Sequence, residues 1–223
     1  MGPLTVRVPE KAWLPLAYLG PVAWYSKYLL HPVLFIECHD HYNKQSYRNR
    51  CLIYSANGPL SMSIPVLTGS SHKILVKDIR IDNSRAWRRL HMKGIESAYR
   101  SAPFYEFYVD SLLPHYHKKY NFLLDFNIEL HSVLLQQLNI KATITLTDNY
   151  VIDTGRQAAD YRELLHPKKN VAEDPFFFTV PYRQVFMEKF GFITNLSVID
   201  LLFNMGPEAV EVLQKSISPT VTE

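Results

Sequence analysis

The chain has 223 residues, of which 47% are hydrophobic and 20% are charged, and this composition excludes disordered, collagen-like and coiled-coil proteins. The pI of about 8.7 is modest for a nucleic-acid-binding protein, and the cysteines, Cys38 and Cys51, are too few for a disulfide-rich secreted protein. The longest apolar region, 12–37, contains prolines, Lys27 and His31, so it predicts no membrane-spanning helix. We expect a cytoplasmic protein whose cysteines are buried thiols.

The first part of the chain predicts short strands and one helix. The run 33–37, VLFIE, combines β-branched and aromatic residues as buried strands do, and Asn57-Gly58 is a typical hairpin turn between two strand-like segments. After Pro21, apolar residues recur at a helical spacing. The predicted strands lie at 4–8, 33–37, 47–58, 60–67 and 73–82, and the predicted helix lies at 22–30.

The middle of the chain is predicted to be helical. Residues 118–138 carry apolar residues every three or four positions and form the strongest helical pattern of the chain. Across 148–180 the pattern fades, and we expect an irregular segment that is either a lid or a partner-facing loop. Near the end, Gly206 is expected to stop one helix and Pro207 to start the next. The other predicted elements are a helix from about Arg85, a helix at 103–114, a strand at 143–147 and helices within 195–214.

This order of elements predicts an α/β (α+β) domain over residues 1–214. We expect a central mixed or antiparallel sheet, built from the N-terminal half of the chain and packed by helices from the C-terminal half. The last residues, 215–223, are expected to form a disordered tail.

Positive charge is concentrated between His41 and Gly94. This window holds ten Lys or Arg residues against Asp78 and Asp82, a net charge of +8, and no acidic residue occurs from His41 to Lys77. Such an imbalance indicates an anionic partner, and the alternative is a solvated face that only keeps the protein soluble.

Within this window, the stretch KQSYRNR at 44–50 is the candidate anion site. If it is extended, Lys44, Ser46, Arg48 and Arg50 share one face, with neighbours about 6.6 Å apart. Three cations in a row repel one another unless an anion lies across them, and arginine makes two-pronged contacts with phosphate and carboxylate oxygens. The alternative is an edge strand whose charges discourage aggregation.

The helix that follows adds Arg88 to the expected anion-binding group. His91 on the same helix is the candidate general base, with a purely structural histidine as the alternative. His39 and His41 share a face in a strand, but no third ligand is near them in the sequence, so we predict no metal site. The sequence contains no GxGxxG, GxxxxGK[ST], HExxH or GxSxG motif, and it identifies no cofactor.

Four stretches of the chain resemble the bacterial WbqC-like protein family in their order and spacing. The resemblance extends from about residue 8 to residue 214 and is weakest across 148–180. The four stretches are KQSYRNR at 44–50, IDNSRAWRRLHMKGIESAYRSAPFYEFY at 81–108, KKYNFLLDFNIEL at 118–130 and FITNLSVIDLLFNMGPEA at 192–209.

The resemblance implies an association with surface-polysaccharide (O-antigen) biosynthesis but no particular reaction. It also implies that longer relatives carry a glycine-rich segment that is shortened here to 148–180, so an activity that depends on that segment would be altered or lost. On the basis of the motifs, Asn49 and Tyr99 join the expected substrate-binding residues. The positions that match the motifs are Lys44, Ser46, Asn49 and Arg50; Asp82, Trp87, Arg88, His91 and Tyr99; and Asn195, Ser197, Asp200, Leu202 and Asn204.

Taken together, these features predict a transferase-type enzyme that binds an anionic, phosphate-bearing or activated-sugar intermediate of surface-glycan biosynthesis. His91 would be its catalytic residue, and Lys44, Arg48, Arg50 and Arg88 would hold the anion. A non-catalytic module that binds an anion or a protein partner is the alternative, and nucleic-acid binding ranks last. The expected partner is a small anionic ligand, and a homo-oligomer is compatible with the sequence.

Overall fold

A computed structural model of the protein describes residues 5–68, 73–155, 158–217 and 220–222. Residue 4 of the predicted first strand, 156–157 of the predicted irregular segment, and 218–219 and 223 of the predicted tail lie outside these ranges. The strands are β1 (Thr5–Arg7), β2 (Lys11–Pro15), β3 (Val33–Glu37), β4 (Arg50–Ser55), β5 (Gly58–Ser63), β6 (Val66–Leu67), β7 (Arg80–Ile81), β8 (Thr145–Leu146), β9 (Ala158–Asp160) and β10 (Thr220–Thr222). The helices are α1 (Val22–Leu30), α2 (Trp87–Tyr99), α3 (Tyr105–His117), α4 (Leu123–Gln137), α5 (Met187–Phe190), α6 (Val198–Met205) and α7 (Ala209–Lys215).

The fold is mixed α/β, and its central sheet consists of parallel strands in the order β8-β3-β2-β9. Our expectation of a mixed or antiparallel central sheet from the N-terminal half is therefore wrong. β2 and β3 pair along their whole length, from Lys11 with Val33 to Pro15 with Glu37, whereas β8 and β9 come from the second half of the chain. Neighbouring parallel strands need a crossover connection, and α1 provides it between β2 and β3.

The error follows from the central strand, β2, which was not predicted from the sequence. Its sequence, KAWLP, is buried at every position after Lys11. Strands of parallel sheets are covered on both faces, so they appear as short apolar runs without the alternation that marks a half-exposed strand. Pro15 and Pro21 also interrupt this apolar region, so the sequence indicated an irregular segment before α1 instead of a strand.

Small antiparallel pairs lie outside the central sheet. β4 and β5 form the predicted hairpin, which turns before Gly58 at a positive φ of 95°. The predicted strand at 73–82 is wrong for most of its length, because a 3-10 turn at Val76–Asp78 precedes the short β7. The backbone of 74–77 instead hydrogen-bonds to Cys38, Asp40 and Tyr42. Residues of the predicted tail also form a strand, β10, which pairs with β1.

The helices agree better with the sequence patterns. α1 occupies the predicted residues, and Gly206 ends α6 as expected. The predicted helix at 103–114 extends to His117 with Pro114 in its last turn, and α4 begins at Leu123 instead of 118. Both cysteines are buried free thiols, as predicted.

The irregular segment 148–180 packs against α1 through a buried ion pair. Lys27 Nζ lies 2.6 Å from Asp174 Oδ2, and both side chains are almost completely buried. The Lys27 ammonium also lies 4.6 Å from the centroid of the Tyr161 ring. Burial lowers the pKa of Lys27, and the neighbouring Asp174 opposes this shift. A buried cation needs a counter-charge, so this contact fixes the segment on the helix.

Breaking this ion pair is expected to destabilise the protein. Asp174→Asn leaves the Lys27 cation buried without a carboxylate and should lower the free energy of unfolding by about 3–5 kcal/mol. The double variant Lys27→Met, Asp174→Asn removes both charges and should recover most of that loss. Urea denaturation measures both effects, and an equal loss in the single and double variants would contradict the pairing.

Candidate functional site

Helices α2 and α3 enclose a groove of about 560 Å³. Residues three and four positions apart lie on one face of a helix, so α2 and the turn before it present one continuous wall. α3 supplies the opposite wall, which is mostly aromatic and aliphatic. The α2 side is lined by Arg85, Ala86, Arg88, Arg89, Met92, Lys93 and Glu96, and the α3 side by Tyr105, Val109, Leu113, Tyr116 and His117.

Positive charge dominates this groove. Arg88 Nη1 donates to Asn83 Oδ1 beside it. The side chains of Arg89 and Lys93 are exposed and make no hydrogen bond or ion pair with any residue that the structure describes. Glu96 is the acidic residue among the described lining, and it lies 3.7 Å from an exposed arginine outside the groove. The α2 wall therefore presents cations that are free to meet an anion.

The α3 wall is linked to His91 through a chain of hydroxyl groups. The Tyr116 hydroxyl lies 2.7 Å from the Tyr18 hydroxyl, which lies 2.7 Å from His91 Nδ1. Burial lowers the pKa of His91 to about 4, so the ring is neutral at pH 7. The nearby backbone of Ser63 favours the protonated ring and so raises its pKa, but burial has the larger effect. His91 is not part of the groove lining, and its catalytic role stays a prediction.

Arg48, predicted to bind the anion, lies in the interior with its own counter-ion. Its side chain is 2% exposed, and Nη2 donates to Asp40 Oδ2. The Arg48 carbonyl accepts a 2.8 Å hydrogen bond from Asn127 Nδ2 on α4. The Nε atom of Arg48 has no partner within the described part of the chain. Asp40 is the counter-ion of Arg48, so it opposes the positive charge that Arg48 adds to the basic window.

The other predicted residues of 44–50 take different positions. A turn at 44–45, with a positive φ of 61° at Gln45, interrupts the expected strand, and β4 begins only at Arg50. Arg50 and His91 both lie next to Ser63. Arg88 lies in the groove, and no residue of 44–50 lines that groove. Lys44 is exposed, Ser46 Oγ donates to the Asn43 carbonyl at 2.7 Å, Asn49 Nδ2 donates to the Ile64 carbonyl at 2.8 Å, and Arg50 Nε donates to Ser63 Oγ at 3.2 Å.

Comparison with known proteins identifies the family. A family model of the WbqC-like proteins matches residues 34–174, which is more than half of the chain. The chain belongs to the WbqC-like protein family. It is also 21% identical, over 231 aligned residues, to the uncharacterised protein Rv1507c of Mycobacterium tuberculosis, and the alignment covers 94% of this chain and 97% of that protein. No solved structure matches the chain.

In this WbqC-like protein, the motif residue Tyr99 belongs to a buried network around Asp200. Tyr99 donates to Asp200 Oδ1 at 2.8 Å, and Tyr182 donates to Oδ2 at 2.7 Å. Gln184 Nε2 donates to Oδ2 at 3.1 Å, and the Tyr99 hydroxyl accepts the backbone N–H of Tyr54. Burial raises the pKa of Asp200 to about 6, although its donors oppose the shift. The network joins α2, α6 and the hairpin, while the substrate-binding role of Tyr99 stays a prediction.

Two more WbqC-like motif residues make structural contacts that were not foreseen from the sequence. Asn195 Oδ1 accepts the backbone N–H of Ala23 and so caps the first turn of α1 instead of a nearby helix. Ser197 precedes α6, but its hydroxyl donates to the Leu19 carbonyl at 2.7 Å. The last motif stretch therefore holds α6 against the start of α1.

The groove fits anions better than it fits a metal ion, because its side chains are mostly cationic. In the described ranges, no group of three or more His, Cys, Asp or Glu side chains is arranged to hold a metal. No helix described here is long and apolar enough to cross a membrane. In the sequence, Arg89 and Lys93 stand out only as part of a basic window. Arg89 lies four positions after Arg85, and Lys93 lies four positions after Arg89; this helical spacing is the signal that places them on one face.

The Asp200 network predicts a pH dependence of stability. The folded pKa of about 6 lies above the ordinary value of 3.8, so the folded protein binds more protons between these values than the unfolded chain does. The contribution of Asp200 is fully present below pH 3.8 and is lost as the pH rises through about 6, a change of about 3 kcal/mol. Asp200→Asn should remove this dependence.

The difference in unfolding free energy between Asp200→Asn and the wild type, measured by urea denaturation from pH 4 to pH 8, isolates Asp200 from other carboxylates. As the pH rises, the unfolding free energy of Asp200→Asn should increase relative to that of the wild type, because only the wild type loses stability when Asp200 ionises. Tyr99→Phe, which removes one donor from the ionised carboxylate, should steepen the loss. A difference that stays constant across this range would contradict the raised pKa.

Proposed function

We propose that this WbqC-like protein binds a phosphate-bearing anion in the groove between α2 and α3. The observation that carries the proposal is the pair Arg89 and Lys93, which stand beside Arg88 without a partner in the described structure. Cations that already have partners gain little from a ligand, whereas unpartnered cations on one wall gain a full charge-assisted contact.

The chemistry of the two walls defines the class of ligand. The α2 wall would hold phosphate oxygens, with arginine forks at Arg88 and Arg89 and a point charge at Lys93. The α3 wall offers Tyr105 and Val109 to an apolar or ring-shaped body. A ligand with a phosphate at one end and a ring or hydrocarbon at the other fits both walls. Activated sugars and lipid-linked phosphates of surface-glycan biosynthesis have this form.

The catalytic version of the proposal is a transferase-type reaction on such an intermediate. Transfer from a phosphate-linked donor develops negative charge on the departing phosphate, and fixed cations stabilise that charge without a nucleophile. The alternative is a non-catalytic module that retains the same ligand. Product formation in a mixture of a phosphate-linked donor and a sugar acceptor separates the two, because a module would bind the donor without consuming it.

Binding is expected to depend on the groove cations. In a thermal-shift panel of inorganic phosphate, nucleotides, nucleotide sugars and prenyl phosphates, one phosphate-bearing ligand should raise the melting temperature. Arg89→Ala and Lys93→Ala should each weaken that ligand by about tenfold in calorimetry, because each removes a charge-assisted contact. Arg88→Ala should weaken it less, because Arg88 already donates to Asn83, and added salt should weaken binding to the wild type.

The matched control is the double variant Lys169→Ala, Lys215→Ala. Each lysine lies in an exposed ion pair outside the groove. This variant therefore loses two positive charges, as many as the double variant Arg89→Ala, Lys93→Ala loses. Equal weakening in the two double variants would mean that only net charge matters. Undiminished binding in the groove variant would place the ligand elsewhere.

A further inference from the structure

A second polar site lies where the strands of the parallel sheet end. β3 ends at Glu37 and is followed by Cys38 and His39, while Thr147 follows β8 and Arg162 follows β9. In open parallel sheets, ligands bind outside the carboxyl ends of the strands. None of these residues lines the α2–α3 groove, so the chemistry of this edge is independent of the function proposed for that groove.

Glu37 organises this edge of the sheet. Its carboxylate is fully buried and accepts hydrogen bonds from the backbone N–H of His39 and from Thr147 Oγ1, both at 2.8 Å, and from Arg162 Nη1 at 3.1 Å. Thr147 therefore uses its one hydroxyl proton toward Glu37. The lone pairs of Oγ1 remain for other donors, and the backbone N–H of Cys38 takes one of them at 3.2 Å.

This arrangement determines the tautomer of His39. His39 Nδ1 lies 3.4 Å from Thr147 Oγ1, which can only accept there, and 3.4 Å from Cys38 Sγ. The Cys38 thiol donates to the Thr147 carbonyl at 3.3 Å, so the sulfur too faces Nδ1 as an acceptor. Both neighbours require a proton on Nδ1. In the neutral ring, Nε2 then carries the lone pair.

The Nε2 atom of His39 is open to a ligand. His39 is only partly buried, and no described residue makes a hydrogen bond to Nε2. His91 and His131 differ, because both are buried and bonded to tyrosine hydroxyls; His131 uses both of its ring nitrogens in this way. Of these three rings, His39 alone combines a fixed orientation with an accessible lone pair.

We propose that His39 is a general base at the carboxyl edge of the sheet, and that its Nε2 accepts a proton from an O–H or N–H group of a polar ligand. Thr147 and Glu37 are positioning residues that hold the ring through Nδ1. In catalytic triads a carboxylate orients the histidine directly, whereas here the Thr147 hydroxyl lies between the Glu37 carboxylate and the His39 ring.

The tautomer is the first test. Nitrogen-15 NMR of the full chain, at a pH where His39 is neutral, should show the Nδ1–H form. Thr147→Val removes the oriented acceptor and should shift the ring toward the Nε2–H form that a solvated histidine prefers. Thr147→Ser keeps the hydroxyl and should retain the wild-type spectrum. A predominantly Nε2–H ring in the wild type would overturn the proposal, and an unchanged tautomer in Thr147→Val would overturn the role of Thr147.

The reactivity of Nε2 is the second test. Diethyl pyrocarbonate transfers an ethoxycarbonyl group to an unprotonated, accessible ring nitrogen, with ethyl carbonate as the leaving group. Mass spectrometry should find His39 modified at least tenfold faster than His91 and His131. His39→Gln should lose that modification and keep the wild-type melting temperature. If His39 reacts as slowly as the two buried rings, its lone pair is not available and the proposal fails.

Discussion

A buried carboxylate must be surrounded by donors, and Glu37 meets this requirement with groups from three parts of the chain. The donors are a backbone N–H just beyond β3, a hydroxyl just beyond β8 and a guanidinium just beyond β9. β8 joins the sheet with only two residues and β9 with three, too few for backbone pairing alone to define their positions firmly. The charge of Glu37 therefore helps to hold both outer strands in the sheet.

The same requirement explains how the described residues of the irregular segment 148–180 are held in place without a periodic sequence. It supplies Asp174 to the buried Lys27 and Arg162 to the buried Glu37. Each of these charges in the first half of the chain would be very unfavourable alone. Arg162 is in turn held by Asp160 and by the Val151 carbonyl. The segment thus contributes side chains such as Arg162 and Asp174 to the domain interior, although most of its other described residues are exposed or partly exposed.

Hydrophobic patterns in the sequence predicted helices such as α1, but they failed for strands that pair with distant segments of the chain. α1 could be predicted because its apolar residues follow one helical rhythm after Pro21. β2 and β9 could not, since a doubly buried KAWLP and a short AAD carry no alternation, and their partners are distant in sequence. These two strands decide that the sheet is parallel.

The candidate sites show the same division. The basic window was visible in the sequence, and helical spacing places Arg89 and Lys93 on one face of α2. That α3 lies opposite, however, depends on tertiary packing. Arg48 shows the converse error: the window was counted from His41, one residue beyond Asp40, the carboxylate that neutralises Arg48. A window that begins one residue earlier includes this carboxylate, but only the fold shows that it pairs with Arg48.

The wall of the groove and the loop that follows β2 are joined by neutral groups. Tyr18 lies in the loop that follows β2, and its hydroxyl contacts Tyr116 in the groove wall and His91 on α2. Burial raises the pKa of both tyrosines and lowers that of His91 to about 4. None of the three changes charge near neutral pH, so this link between the two regions keeps its geometry while the exposed cations of the groove respond to ligand and salt.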